Sequence, residues 1–147
     1  MATIKSYTDL EQSKKLAEIL PLDSADCFWD YDEMQKFHRI SWFEDGYNKE
    51  SQLMLNENNV CAWSLAALIG VMSQINEWFT PYGHKNEILY QFEPKICKIW
   101  EHNFIPSYKV TYGNRLFTDS YDNPIDACVT MIEKLHELNC CDHGKVL

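Results

Sequence analysis

Hydrophobic residues recur at helical spacing in three segments of the chain, and these segments predict three helices. They cover residues 8–20, 64–79 and 124–139. At the start of the first segment, Thr8 and Glu11 form a capping box. The apolar stripe of the middle segment consists of Leu65, Leu68, Ile69, Met72 and Ile75. The stripe of the last segment consists of Ile125, Cys128, Val129, Ile132 and Leu135.

Between the first two helices, apolar and polar residues alternate with the period of a β-strand. The alternation covers residues 26–31 and 38–42 on either side of a short polar loop, which predicts two paired strands. Asp45-Gly46 follows, and this dipeptide favours a two-residue hairpin turn. We therefore expect a third strand over residues 47–55.

The second half of the chain also contains predicted strands, which cover residues 87–93, 108–112 and 115–119. Gly113-Asn114 is a second hairpin signal between the last two of them. Residues 95–102 fit either a strand or a short helix. Strands grouped by hairpins, with only three helices, predict one α+β domain over residues 1–147 with a mainly antiparallel sheet. We expect the tail, residues 140–147, to be frayed.

Charge limits the kinds of partner that the chain is expected to bind. The 147 residues include 13 basic and 22 acidic side chains, so the formal net charge is −9, and only Arg39 and Arg115 are arginines. DNA and anionic membranes would be repelled, so we expect neither as a partner. Residues 1–60 contain 12 acidic and 6 basic side chains. We expect a basic partner to dock on this N-terminal part.

Neither a targeting segment nor a phosphate-binding motif is evident. The N-terminus lacks an apolar signal region, and the longest apolar stretch, Leu65–Met72, is too short to span a bilayer. We therefore expect a cytoplasmic protein whose 6 cysteines are reduced. With only 5 glycines and no glycine-rich loop, we expect no nucleotide cofactor and assign no cofactor of any kind.

Three segments carry a resemblance to a known group of proteins: Tyr7 to Ala17, Cys61 to Ile69, and Tyr121 to Cys128 with Lys134 to Leu138. They resemble short proteins of phages and mobile elements of Bacteroides-type gut bacteria. The resemblance implies a small accessory protein that acts in a bacterial cytoplasm. It implies no activity and no catalytic residue.

Cys61 is the candidate nucleophile. It precedes the middle predicted helix, and His84, His102 and then Asn114 or Asp119 follow in the chain. A cysteine at a helix N-terminus followed by a histidine and then an Asp or Asn is the order found in papain-like peptidases. The alternative is that Cys61 is a small buried hydrophobic residue, which we favour because no further catalytic motif accompanies it.

A second candidate site would bind a metal ion. His136 and Cys140 are spaced i, i+4, and Cys141 and His143 follow, so the residue types suit tetrahedral zinc. The spacing matches none of the usual zinc motifs, and a solvated helix end is the alternative that we favour.

The third candidate is an acidic and aromatic surface on the first predicted strand. Alternation turns one set of side chains inward, namely Cys27, Trp29 and Tyr31. Phe28, Asp30 and Asp32 then share the outer face, where an exposed Phe between carboxylates would anchor a basic partner. An ordinary solvated strand face is the alternative.

Together these features predict a small acidic protein that binds another protein. The alternative is a protein that binds or sequesters a small, nucleotide-type ligand in an aromatic pocket. A hydrolase that uses Cys61 ranks third. We expect the chain not to be an enzyme.

Overall fold

The computed structural model describes residues 5–74, 94–100, 106–112 and 116–142. The chain divides into two compact units. The N-terminal unit runs from Ser6 to Ala67, and the C-terminal unit combines Met1–Lys5 with Leu68–Leu147. Both contain helices and an antiparallel sheet, so the predicted α+β class is confirmed. That residues 1–147 form a single domain stays a prediction.

The N-terminal unit is built around a three-stranded antiparallel sheet. In chain order its elements are α1 (Leu10–Ala17), a 3-10 turn (Leu22–Ser24), β1 (Cys27–Asp32), β2 (Phe37–Trp42), α2 (Lys49–Leu53) and β3 (Val60–Ala62). The strand order is β2-β1-β3. β1 and β2 pair along their whole length, from Cys27 opposite Trp42 to Asp32 opposite Phe37, which confirms the predicted pair of strands.

Trp63 is the centre of the core in this unit. Its side chain is fully buried, and its indole N–H donates to Ser24 Oγ at 2.9 Å. The backbone N–H of Thr8 donates to the Trp63 carbonyl at 2.9 Å, and the Thr8 hydroxyl accepts from the Trp63 N–H at 3.2 Å. Trp29 closes the arrangement by donating its indole N–H to the Thr8 carbonyl at 3.1 Å. The indole N–H groups of Trp29 and Trp63, and the backbone N–H and carbonyl of Trp63, therefore all have hydrogen-bond partners.

The predicted capping box at Thr8 and Glu11 is wrong by one residue. Asp9 is the N-cap of α1: its carboxylate accepts from the Gln12 N–H at 2.8 Å, and the Gln12 side chain accepts from the Asp9 N–H at 3.1 Å. Thr8 is not available because Trp63 and Ser13 engage its polar groups. Helix α1 also ends at Ala17 rather than at residue 20.

The predicted strand over residues 47–55 is also wrong, because α2 occupies most of that segment. Gly46 adopts a positive φ of 84°, as its turn signal indicated, but the chain then enters a helix. Asn48 caps this helix by accepting from the Ser51 N–H at 3.1 Å. The third strand of the sheet is instead β3, which pairs with the other side of β1.

The C-terminal unit contains a second antiparallel sheet and the longest helix among the described residues. Helix α3 (Leu65–Ser73) begins in the N-terminal unit and is followed by β4 (Pro94–Trp100), β5 (Pro106–Tyr112), β6 (Leu116–Phe117) and α4 (Pro124–Asp142). The strand order is β4-β5-β6, and α4 packs against β5. The ambiguous segment 95–102 is therefore a strand as far as Trp100. The predicted strand 87–93 lies outside the described residues.

The helix starts in the second half follow the prediction closely. Asn123 caps α4 by accepting from the Asp126 N–H at 2.9 Å. All five residues of the predicted α4 stripe are buried: Ile125, Cys128, Val129, Ile132 and Leu135. Helix α4 continues to Asp142, so the frayed tail predicted from residue 140 is wrong for its first three residues. Between Pro124 and Gly144 the chain contains neither glycine nor proline, which explains the longer helix.

The hairpin predicted at Gly113-Asn114 is supported by the pairing of its strands. Tyr112 lies opposite Leu116 in the antiparallel ladder of β5 and β6, while the two turn residues lie outside the described residues. The α3 stripe is confirmed only in part: Leu68 and Met72 are buried, but Ile69 is 40% exposed.

Candidate functional site

An open groove lies between the 3-10 turn and α2 in the N-terminal unit. Its volume is about 480 Å³. The groove is lined by Pro21, Leu22, Asp23, Tyr47, Asn48, Lys49 and Glu50. We call it the acidic groove, because Asp23 and Glu50 are among its lining residues.

Local hydrogen bonds fix both walls of the acidic groove. On one wall, Ser24 Oγ donates to the Pro21 carbonyl at 2.6 Å and holds the 3-10 turn. On the other, the Gln52 amide group donates to the Tyr47 carbonyl at 3.2 Å and accepts from the Glu44 N–H at 2.9 Å. The loop that carries Tyr47 is therefore tied to α2.

Lys49 joins the two walls and does not contribute a free positive charge. Its ammonium group donates to the Asp23 carbonyl at 2.9 Å and to the Ala25 carbonyl at 2.5 Å. The same nitrogen lies 5.5 Å from the centre of the Phe43 ring, within range of a cation–π interaction. The ammonium group of Lys49 is therefore engaged mainly by groups of the protein itself.

The remaining charged side chains of the acidic groove are carboxylates. Asp23 and Glu50 are exposed, and Tyr47, which lines the groove with them, is 68% exposed. Glu44 and Asp45, both exposed, precede Tyr47 in the same loop. Lys49 is the one basic residue in the lining, and its charge is engaged. The groove therefore offers acceptors and an aromatic ring to a cationic group.

The surface predicted around Phe28, Asp30 and Asp32 does not form. Phe28 is buried, with 7% of its surface exposed, and its ring packs against Phe43 at a centroid distance of 4.8 Å. The expectation that Phe28 anchors a partner from outside is therefore wrong. The alternation of the strand was real, but both faces of β1 are covered at this end of the sheet.

Asp32 has a structural role in the β1–β2 turn. Its carboxylate accepts from the backbone N–H groups of Gln35 at 3.0 Å and Met34 at 2.9 Å, and from Arg39 at 2.6 Å. Together these bonds hold the pKa of Asp32 below its ordinary value, and the bond from Gln35 contributes most. Asp30 lies directly across the strand pair from Arg39. The two carboxylates thus face an arginine of the same sheet.

Cys61 lies on β3, not at a helix N-terminus. It is buried, and burial raises the pKa of its thiol to about 11. A thiol in this state is protonated at neutral pH and is a poor nucleophile. Asp119 belongs to the other unit, while His84, His102 and Asn114 lie outside the described residues. The environment of Cys61 favours the small buried hydrophobic residue.

The predicted metal ligands lie at the end of α4. His136 is half-buried in this helix, and Cys140 and Cys141 lie in its last turn. His143 lies outside the described residues. Among the described residues, no group of three His, Cys, Asp or Glu side chains is arranged to hold a metal ion.

Sequence reasoning missed the acidic groove because the strand predicted over residues 47–55 hid α2. A signal was present: Asn48 is a strong N-cap residue, and the next four residues (Lys49, Glu50, Ser51 and Gln52) include three good helix formers. The meeting of this helix with the 3-10 turn has no signal in the local sequence.

Comparisons of the chain with protein-family models, curated proteins and solved structures gave no match. Within the described part of the chain, every helix is too short or too polar to cross a membrane.

Proposed function

We propose that this chain is a non-enzymatic binding protein whose acidic groove takes a lysine- or arginine-containing segment of another protein. The observation that carries the proposal is the presence of Asp23, Glu50 and the exposed ring of Tyr47 around one open groove. Carboxylates accept charge-assisted hydrogen bonds from ammonium and guanidinium groups, and an aromatic face attracts the same cations.

The charge of the surrounding unit supports the same kind of partner. Residues 6–67 contain 12 acidic and 5 basic side chains. Three of those five bases are engaged within the unit, Lys49 by backbone carbonyls, Arg39 by Asp32 and Lys14 by Glu11. A net negative field of this kind draws a cationic segment towards the groove and disfavours anionic competitors.

The same charges weaken the nucleotide alternative at this site. Phosphate groups would meet the carboxylates of Asp23 and Glu50, while the ammonium group of Lys49 is already bonded to two carbonyls. A hydrolase that uses Cys61 lacks support for a different reason, because burial keeps its thiol protonated.

A binding measurement with a defined probe tests the proposal. The probe is a blocked five-residue peptide in which Arg, Lys and Arg stand between two glycines, labelled for fluorescence anisotropy. We expect saturable binding, and about twofold to thirtyfold weaker binding to the double variant Asp23→Asn/Glu50→Gln, since exposed ion pairs contribute roughly 0.2–1 kcal/mol each. Tyr47→Ala should weaken binding about two- to fivefold through loss of the cation–π contact.

The matched control carries the same change in net charge away from the groove. Glu11 and Glu57 are exposed and do not line the groove, so Glu11→Gln/Glu57→Gln should bind the probe like the original protein. Equal weakening in both double variants would show a general charge effect and overturn the proposed site. A peptide with Glu in place of the basic residues should not bind.

A further inference from the structure

Strand β2 is an edge strand of the N-terminal sheet. In the order β2-β1-β3 it pairs with β1 on one side, and no other described strand lies on its second side. It runs for six residues in continuous antiparallel register, without a bulge. The backbone groups on its second side therefore face away from the sheet.

The register identifies which backbone groups point away from β1. The Phe43 N–H donates to the Asp26 carbonyl at 3.2 Å, in step with the ladder, so alternate residues Phe37, Arg39 and Ser41 also bond to β1. The N–H and C=O groups of His38, Ile40 and Trp42 then point outwards. Within the described residues, none of these six groups has a hydrogen-bond partner.

Among the described residues, this edge lacks several of the devices that prevent pairing with another strand. It contains neither proline nor lysine, and the charge of Arg39 is engaged by Asp32 at 2.6 Å. Phe37 and Trp42, at its two ends, are 41% and 54% exposed. An open edge flanked by exposed aromatic rings is the arrangement that accepts an added strand.

We propose that the outer edge of β2 pairs with an extended segment of the partner, which adds to the sheet as a fourth, antiparallel strand. This inference rests on the proposed function, because it assigns a second contact, on the edge of β2, to the same basic partner. The added strand carries apolar side chains at alternate positions, where they meet His38, Ile40 and Trp42.

Charge determines which end of the added strand carries the basic residues. At the Trp42 end, the exposed carboxylates of Glu44 and Asp45 follow β2 and lead to Tyr47 in the acidic groove. At the Phe37 end, the exposed Lys36 and Glu33 of the β1–β2 turn balance each other, so this end lacks the net negative charge of the Trp42 end. The basic residues of an antiparallel segment therefore lie at its N-terminal end. A second copy of this chain is a poorer occupant, because two chains of net charge −9 repel each other.

Amide hydrogen exchange, followed by NMR, tests the proposal with a defined peptide. The probe is the blocked peptide Lys-Lys-Val-Thr-Val-Thr-Val. In the free protein, we expect the amides of His38, Ile40 and Trp42 to exchange at least tenfold faster than those of Phe37, Arg39 and Ser41. Saturation with the probe should slow the first three at least tenfold, while a version methylated on alternate backbone nitrogens should not.

Substitution of the strand provides an independent test. Ile40→Pro removes an N–H that points away from β1, so it spares the β1–β2 ladder, and it should weaken probe binding at least tenfold. Ile40→Val is the matched control and should bind normally. Retained slow exchange at Arg39 and Ser41 would show that the proline variant is folded, and the methylated peptide tests the edge without any change to the protein.

Three results would overturn the inference. The first is slow exchange of the three outward amides in the free protein, since the edge would then be occupied already. The second is protection that appears with protein concentration alone, which would identify a second copy as the occupant. The third is probe binding that depends on Asp23 and Glu50 but leaves the edge amides unchanged. In that last case the proposed function would stand and only the edge pairing would fail.

Discussion

At the scale of single residues, the function of a charged side chain depends on what it touches. Lys49 lines the acidic groove, but its ammonium group donates hydrogen bonds to the carbonyls of Asp23 and Ala25. Asp32, expected on a binding surface, instead accepts bonds that hold the β1–β2 turn. Counting charges along the sequence therefore located the acidic part of the chain but not the carboxylates that remain available.

The charge of Asp32 should stabilise the folded protein above the ordinary pKa of a carboxyl group. Its pKa is lowered in the folded state, so its contribution is complete above about pH 5 and is lost as the pH falls through the lowered value. Asp32→Asn should reduce the free energy of unfolding at pH 7, and the difference from the original protein should shrink as the pH falls through the lowered pKa of Asp32. Urea unfolding at a series of pH values measures both.

The control for this prediction is Glu57→Gln, which removes an exposed carboxylate from the same unit. It should leave the pH profile almost unchanged. A constant gap between Asp32→Asn and the original protein at every pH would show that lost packing, rather than lost charge, causes the change.

At the scale of elements, helix starts and strand pairs were predictable wherever the local sequence decides them. Asn123 and Ser64 cap helices close to the predicted starts at residues 124 and 64, because capping needs only a side-chain acceptor near the third following N–H. Thr8 failed as a cap because Trp63, distant in sequence, binds its hydroxyl. Phe28 was misplaced for a similar reason: its partner Phe43 lies beyond the hairpin. Long-range packing overrode the local pattern in both cases.

The start of α3 depends on the carboxylate of Asp26, which lies just before β1. Asp26 accepts from the Ser64 N–H at 2.9 Å and from the Ser64 hydroxyl, whose oxygen in turn accepts from the Ala67 N–H at 3.2 Å. Asp26→Ala breaks this chain and leaves part-buried donors without their acceptor. We expect a loss of about 2–3 kcal/mol in the free energy of unfolding, measured by urea denaturation.

Asp45→Ala is the matched control, because Asp45 is exposed and no hydrogen bond of its side chain is found among the described residues. It should change the free energy of unfolding by less than about 0.5 kcal/mol. If Asp26→Ala proved equally mild, solvent would be replacing the lost acceptor, and the link between Asp26 and the start of α3 would be unimportant for stability.

At the scale of the whole molecule, the order of helices and hairpins predicted the α+β class, and the count of charged residues predicted an acidic N-terminal part; each depends on many residues. The acidic groove was not predictable in this way, because it forms where the turn at Leu22–Ser24 meets α2. These two elements are more than twenty residues apart, and Lys49 joins them through backbone carbonyls that any sequence would offer. A phage or mobile-element context stays a prediction from the resemblance alone.

The central claim is that a basic segment binds in the acidic groove, and an NMR titration of the ¹⁵N-labelled protein tests it most directly. With the Arg-Lys-Arg probe, we predict saturable shifts centred on the amides of Asp23, Asn48, Lys49 and Glu50, with smaller changes elsewhere. Shifts spread evenly over exposed acidic residues such as Glu11 and Glu57, or no shift at saturating peptide, would contradict the claim.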